Sequence, residues 1–214
     1  MLSGRTLSAY FMPQYFYICG MYQPILDHIA GYVSLSPQEQ ELCCSLFTQR
    51  KFKKYQFLLQ EGNICQYDYF VITGCLRQYE VNDDGREYVV QFAFENWWIA
   101  DWQSMLHNKP SIFNIDALES SEVLMIEKND LDRLFREIPA MDTYFRKMMT
   151  SAFLSLQRRL LFQQKTAEER YADFFNTYGH FEQRISQQHI ASYLGITRET
   201  LSRIKSQHVR QLKP

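Results

Sequence analysis

Ile185-Ser186-Gln187-Gln188-His189-Ile190-Ala191-Ser192-Tyr193-Leu194-Gly195-Ile196-Thr197-Arg198-Glu199-Thr200-Leu201-Ser202-Arg203-Ile204 is the stretch on which the reading of this chain turns. Ser186 is a good N-cap for a helix reaching Leu194, because its hydroxyl can accept from a free backbone N–H of the first turn. Gly195 stands where a tight turn between helices demands a positive φ. Thr197 then caps a second helix running through Lys205. Small Ala191, four residues before Gly195, lets two crossing helices approach closely, and Ile190, Leu194, Ile196, Leu201 and Ile204 fill the space between them. Apolar positions six and nine beyond the glycine complete the spacing of a DNA-binding helix-turn-helix. On the polar face of the second helix, Arg198, Glu199, Ser202 and Arg203 are the side chains expected to read base edges. Thr197, Thr200, Lys205 and Gln188 are expected to hold phosphate oxygens.

The charge distribution agrees with a polyanion-binding tail. The chain has 214 residues and a net charge of -1. Ten basic side chains stand against five acidic ones from Ser151 to Pro214, while the preceding 150 residues hold 13 and 19. An acidic body joined to a basic C-terminal quarter reads as a sensor or scaffold carrying a polyanion-binding module.

Upstream of that module, Ala140 to Lys165 contains neither Gly nor Pro. Its apolar residues Phe145, Met149, Phe153, Leu156 and Leu160 recur at helical spacing and form one stripe. A long helix between two modules is expected to pair with a second copy along such a stripe, which makes the protein a homodimer. Packing on its own body is the competing reading. Thr166-Ala167-Glu168-Glu169 spells a capping box that opens the next helix, which ends at Gly179.

The body is β-rich. Ser36, Pro37 and Glu39 start a helical lead-in extending to Gln49. Short runs then alternate with turn residues: Lys51 to Gln60, Tyr67 to Thr73, Cys75 to Val81, Arg86 to Phe94, Ile112 to Leu118 and Val123 to Glu127. Asp84-Gly85 is the strongest hairpin signal, both residues being able to take positive φ. Six short strands with regular punctuation indicate a sandwich, barrel or jelly roll. Asn129-Asp130-Leu131 begins a short helix that closes the body before Pro139.

Several chemistries find no support. His28 and His107 are the only histidines in the first 150 residues and form no paired ligand motif, so no metal site is expected. There is no G-x-S-x-G, P-loop or G-x-G-x-x-G, and the protein is not expected to be an enzyme or to carry a cofactor. Cys19, Cys43, Cys44, Cys65 and Cys75 lack C-x-x-C spacing and read as thiols of a reducing cytoplasm. No apolar run is long enough for a bilayer, so no membrane partner is expected. Residues 1–20 lack a signal-peptide core, and Met21 opens a stretch that reads like an ordinary start. The first twenty residues are therefore expected to be an extension.

A roll, a long helix and a helix-turn-helix, in that order, resemble the Crp/Fnr superfamily of transcription regulators. The likeness is sharpest in Ile185 to Ile204 and extends to Leu58-Leu59-Gln60-Glu61-Gly62 and Tyr69-Phe70-Val71-Ile72-Thr73-Gly74. It implies an α+β chain: a double-stranded β-helix (jelly-roll) domain of cyclic-nucleotide-binding type over 21–138, a dimerisation helix over 139–165 and a DNA-binding domain over 166–214. It further implies double-stranded DNA and RNA polymerase as partners. Cyclic-nucleotide binders of the family carry a Gly-Glu-Leu followed by Arg and a small hydroxyl residue. Here the stretch is Trp97-Trp98-Ile99-Ala100-Asp101-Trp102, and no arginine lies between Arg86 and Arg133. Cyclic AMP would lack its bidentate partner. The small-molecule effector is thus unidentified, with Trp97, Trp98, Asp101, Trp102, Gln163 and Gln164 as its candidate pocket; aromatic residues filling a defunct cyclic-AMP pocket are the competing reading. A second reading is a ligand-binding or protein-interaction module whose helix-turn-helix does not bind DNA, since little chain remains for a wing.

Overall fold

The computed structural model describes residues 12–211, with side chains from 20 to 207 except that of Gln163. The expected extension thus lies outside the described residues over 1–11. From Met12 the chain is helical: α1 (Met12–Ala30) runs straight across the expected boundary between residues 20 and 21. It buries Ile25 and Ile29 against the roll. Next, α2 (Pro37–Ser45) begins with Ser36 as N-cap and a complete capping box to Glu39. It stops at Ser45, short of the expected Gln49, because Thr48 already belongs to a strand.

Eight strands follow: β1 (Thr48–Phe52), β2 (Phe57–Leu59), β3 (Tyr67–Thr73), β4 (Leu76–Val81), β5 (Glu87–Ala93), β6 (Trp98–Ile99), β7 (Asn114–Ala117) and β8 (Ser121–Glu127). They form two antiparallel sheets, ordered β1-β8-β3-β6 and β2-β7-β4-β5. Lys51 to Gln60, expected as one strand, is two strands in different sheets. The chain turns at Lys53–Gln56, where Tyr55 takes φ +64° and its N–H reaches the Ala117 carbonyl. The hairpin after β4 also differs from expectation: only Gly85 has positive φ. Gly85 N–H donates to Asn82 O, and Asn82 N–H to Arg86 O, so a three-residue loop closes on a left-handed glycine. Gly74, at φ +102°, has no alternative: a Cβ there would lie 2.2 Å from Ser121 Oγ.

The central strands of the two sheets are covered on both faces, so their burial runs do not alternate cleanly. In β3, Asp68, Tyr69, Phe70 and Val71 are all buried. The Tyr69 hydroxyl crosses the roll to the Leu58 carbonyl, while Phe70 packs on His28 and Trp98 under the helices. A short α3 (Trp102–His107) sits between β6 and β7. Then α4 (Lys128–Glu137) leads to α5 (Pro139–Leu160), with Pro139 in its first turn.

At 22 residues α5 is about 33 Å long. It ends five residues earlier than expected. Leu161–Gln164 tightens to a 3₁₀ turn, and Lys165 goes extended because Thr166 must take N-cap geometry to start α6 (Ala167–Tyr178). Another 3₁₀ turn (Gly179–Arg184) precedes α7 (Gln187–Leu194) and α8 (Arg198–Gln211). The architecture is α+β: a jelly roll, a long helix and a C-terminal helical unit.

The C-terminal helices do not stand apart from the roll. The outer face of the β2-β7-β4-β5 sheet presents Cys75, Tyr79, Phe92, Phe94 and Leu118, and these share one apolar cluster with Phe174, Tyr178, Ile190 and Leu194. Phe94 stacks on Phe181 with ring centroids 3.9 Å apart, and Phe92 meets Tyr178 edge-on. Arg184 binds Glu95 at 2.8 and 2.9 Å and also Glu119, tying the second 3₁₀ turn to two loops of the roll.

Candidate nucleic-acid interface

The helix-turn-helix is assembled from short-range parts. Ser186 Oγ accepts from His189 N–H at 3.2 Å and starts α7. Gly195 ends it at φ +66°, and Ile196 N–H reaches back to Ala191 O at 3.0 Å, closing the last turn. Thr197 Oγ1 accepts from Thr200 N–H at 3.2 Å, and Leu201 N–H donates to Thr197 O, which begins α8. Ile190, Ala191, Leu194, Leu201 and Ile204 are buried between the helices and under Tyr171 and Phe174.

Burying that face leaves the other in solvent. Arg198, Glu199, Ser202 and Arg203 are all exposed on α8, as is Gln188 on α7. Residues four apart share a helical edge, so Arg198 with Ser202 and Glu199 with Arg203 form adjoining rows. The Glu199 carboxyl lies below the usual carboxylate range because its own backbone N–H and the Thr197 hydroxyl bind the charged form. Two guanidinium forks, a carboxylate and a hydroxyl can between them address guanine, cytosine and phosphate. Thr197 and Thr200 are occupied with each other at the cap, 3.1 Å between hydroxyl oxygens. Lys205 is half-buried and paired with Glu182 at 2.8 Å, and the Tyr171 hydroxyl donates to the same carboxylate oxygen.

The expected effector residues are not gathered around one cavity. Trp98 is half-buried against the roll's core: its Nε1–H donates to the Tyr144 hydroxyl, and its ring packs on Phe47, Phe70 and Phe145. Trp97 faces Phe94 and Tyr178. Trp102 touches Phe145. Asp101 is buried as the N-cap of α3, accepting from Ser104 N–H at 3.1 Å and from Ser111 Oγ at 2.7 Å. Gln164 is exposed at the hinge, and the Gln163 side chain lies outside the described residues. A cavity of about 630 Å³ lies elsewhere, between α1 and the loop before β6, lined by Gln23, Asp27, His28, Ile72 and Asn96 among others.

The expected dimer stripe divides in two. Phe145 is only 4% exposed and packs inside its own roll against Trp98, Phe135 and Tyr144, so it is not available to a second copy. Beyond one more turn the roll falls away. Met149, Phe153, Leu156 and Leu160 are then open to solvent, Leu160 at 70%. Leu154 and Leu161, absent from the expected set, are open beside them.

Other functional side chains were not legible in the sequence. Arg170 donates through Nη1 to Leu194 O at 2.6 Å, holding the last carbonyl of α7. Arg77 is buried on the outer face of the second sheet and bonded twice to Asp116 and also to Glu87. No local signal marks such residues, since their partners lie 24 or more residues away or on other strands.

Comparison with known proteins agrees with this layout. Residues 49–137 match the cyclic nucleotide-binding domain model, and residues 153–211 match the Crp-like helix-turn-helix domain model. The chain is 28% identical over 167 residues to the transcriptional activator protein Anr of Pseudomonas protegens, covering 72% of this chain and 68% of that one. It is 27% identical over 185 residues to the transcriptional activator protein FnrA of Stutzerimonas stutzeri, covering 80% and 75%. FixK2 from Bradyrhizobium japonicum shares the fold with a TM-score of 0.65 at 22% identity, over 77% of this chain and 85% of that one. A CooA mutant from Carboxydothermus hydrogenoformans does so with a TM-score of 0.63 at 19% identity, over 87% and 84%. This chain belongs to the Crp/Fnr superfamily of transcriptional regulators.

Proposed function

We propose that the protein binds a two-fold-related duplex DNA site as a homodimer, with α8 of each copy in the major groove. The observation that carries this reading is the exposed face of Arg198, Glu199, Ser202 and Arg203 on a helix whose opposite face is buried. In that pose Arg198, Glu199 and Arg203 specify bases, while Thr197, Thr200, Gln188 and Lys205 position the helix on phosphates. The open stripe from Met149 to Leu160 supports pairing of α5 with a second copy. Such a dimer presents its recognition helices about 34 Å apart. A binding selection on randomised duplex tests this, and enrichment of a palindromic motif is the expected result. A selection that enriches no two-fold motif overturns it.

Cyclic AMP is not the expected effector. The start of α3, where the family's cyclic-nucleotide binders carry Gly-Glu-Leu, is closed by the Asp101 carboxylate and by Ser111. The fork of Arg77 is spent on Asp116 and Glu87. A second anion would meet the Asp101 carboxylate there, with the Arg77 fork already engaged. Calorimetry with cyclic AMP should show no binding at micromolar concentration, and a micromolar dissociation constant would refute this. Binding to chromosomal DNA, with RNA polymerase as a further partner, fits a cytoplasmic protein. Among the described residues no helix is long and apolar enough to cross a membrane. The Cys43 and Cys65 thiols, pushed up to about 12 and about 11 by burial, suit a structural role there.

A further inference from the structure

The β5 strand lies at the edge of its sheet, so every second residue turns unpaired backbone groups outward. At Glu87 and Val89 those groups are not left to water. Ser192, on α7, accepts from Val89 N–H at 3.0 Å and donates to Glu87 O, standing in for a neighbouring strand. The Val89 carbonyl beside it accepts from Arg159 Nη2 at 3.2 Å. The same nitrogen reaches Tyr193 O at 3.4 Å, and the guanidinium lies 3.8 Å from the Tyr193 ring centroid. One side chain from the last turn of α5 therefore touches the roll and the helix-turn-helix together. Arg170 completes the grip from α6 on the adjacent carbonyl of Leu194.

We infer that Arg159 and Ser192 are positioning residues: they clasp α7 to the β5 edge and thereby set the angle of α8 relative to the dimerisation helix. This rests on the DNA-binding reading above. Neither residue belongs to the exposed face of α8, so neither is needed for one helix-turn-helix to engage one half-site. Both matter for engaging two. A dimer held in register gains its second half-site as an intramolecular event, and that gain shrinks when the two modules swing freely on their 3₁₀ hinges. Arginine suits the position because its planar fork serves two acceptors and a ring face, which a lysine point charge does not.

The test compares Arg159→Ala, Arg159→Lys and Ser192→Ala with wild type on duplexes carrying one or both half-sites of the selected motif. Each variant should lose about tenfold or more in affinity for the full site while staying within about twofold on the half-site. Arg159→Lys should recover only part of the loss. Equal losses on both duplexes would show a merely structural role, and a gain on the full site would show that the clasp opposes binding; either overturns the inference. The clasp is also read without DNA, by amide exchange at Val89. That amide should be protected in wild type and exchange at least about tenfold faster in Ser192→Ala. Unchanged exchange overturns the inference even if DNA binding holds. A wild type that binds no duplex overturns the functional reading, and Val89 exchange then decides the clasp.

Discussion

The Trp98 Nε1–H donates to the Tyr144 hydroxyl across 2.9 Å, joining the β6 edge of the roll to the first turns of α5. His28 Nδ1 lies 2.7 Å from the same oxygen, so α1 joins the network. Tyr144 is fully buried, and burial holds its phenol above the usual range and the His28 imidazole below its own. Tyr144→Phe should leave the indole donor without its acceptor and destabilise the fold by about 1–3 kcal/mol. Urea denaturation checks this. An unchanged midpoint would mean that the tryptophan is not held by this bond.

The two halves of the α5 stripe should respond differently. Phe153→Glu places a charge on a face that is open in one copy, so the fold should survive while light scattering reports monomers. Phe145→Ala removes a ring from the roll's own core and should cost about 3–5 kcal/mol without changing the oligomeric state. A wild type that is monomeric at micromolar concentration would refute the pairing.

On α8, Arg203→Ala should cost about 1–3 kcal/mol and relax preference at one base pair per half-site. An Arg203 variant with unchanged preference in the randomised selection would sink that assignment.

Lys205 should behave differently, because Glu182 competes with phosphate for it. Glu182→Gln should strengthen binding to all sequences alike and steepen the salt dependence by about one ion, and Lys205→Ala should reverse both. Titrations at several salt concentrations decide it. Identical slopes in all three proteins would show that Lys205 stays clear of the backbone.

Asp68 offers a pH test. It is fully buried, burial raises its carboxyl to about 8, and the adjacent Tyr69 N–H donates to its Oδ1. Its Oδ2 has no partner among the described residues. Unfolded, the group titrates near pH ~3.9. Between those values the native state holds a proton that the unfolded chain has lost, so this group's contribution to stability is full below about pH 4 and falls as pH rises through 8. Asp68→Asn mimics the protonated form and should stabilise the protein more at pH 8 than at pH 5. Denaturation at both values measures this, and an equal effect at the two would contradict it.

What could be read from the residues alone has a common character: it closes within a few positions. The caps at Ser36, Thr166 and Ser186, the left-handed turn at Gly195 and the opposed faces of α8 depend on backbone groups three or four residues away. The roll, the long helix and the helix-turn-helix followed from those signals and their order. Periodicity, by contrast, marks a face as apolar without saying what covers it. Phe145 and Phe153 occupy one stripe, yet the first packs into the roll's core and the second is open to solvent. The Trp97-Trp98 pair reads in sequence as the wall of a pocket, and only the fold shows the two rings packed apart, one on Phe94 and Tyr178 and the other on Phe70 and Tyr144. The β5 edge and the loops of the roll needed partners, and Ser192 and Arg184 supply them from about 90 to 105 positions further along. Such contacts exist only once the chain has closed on itself, because burial and hydrogen-bond geometry are properties of surfaces that meet in space.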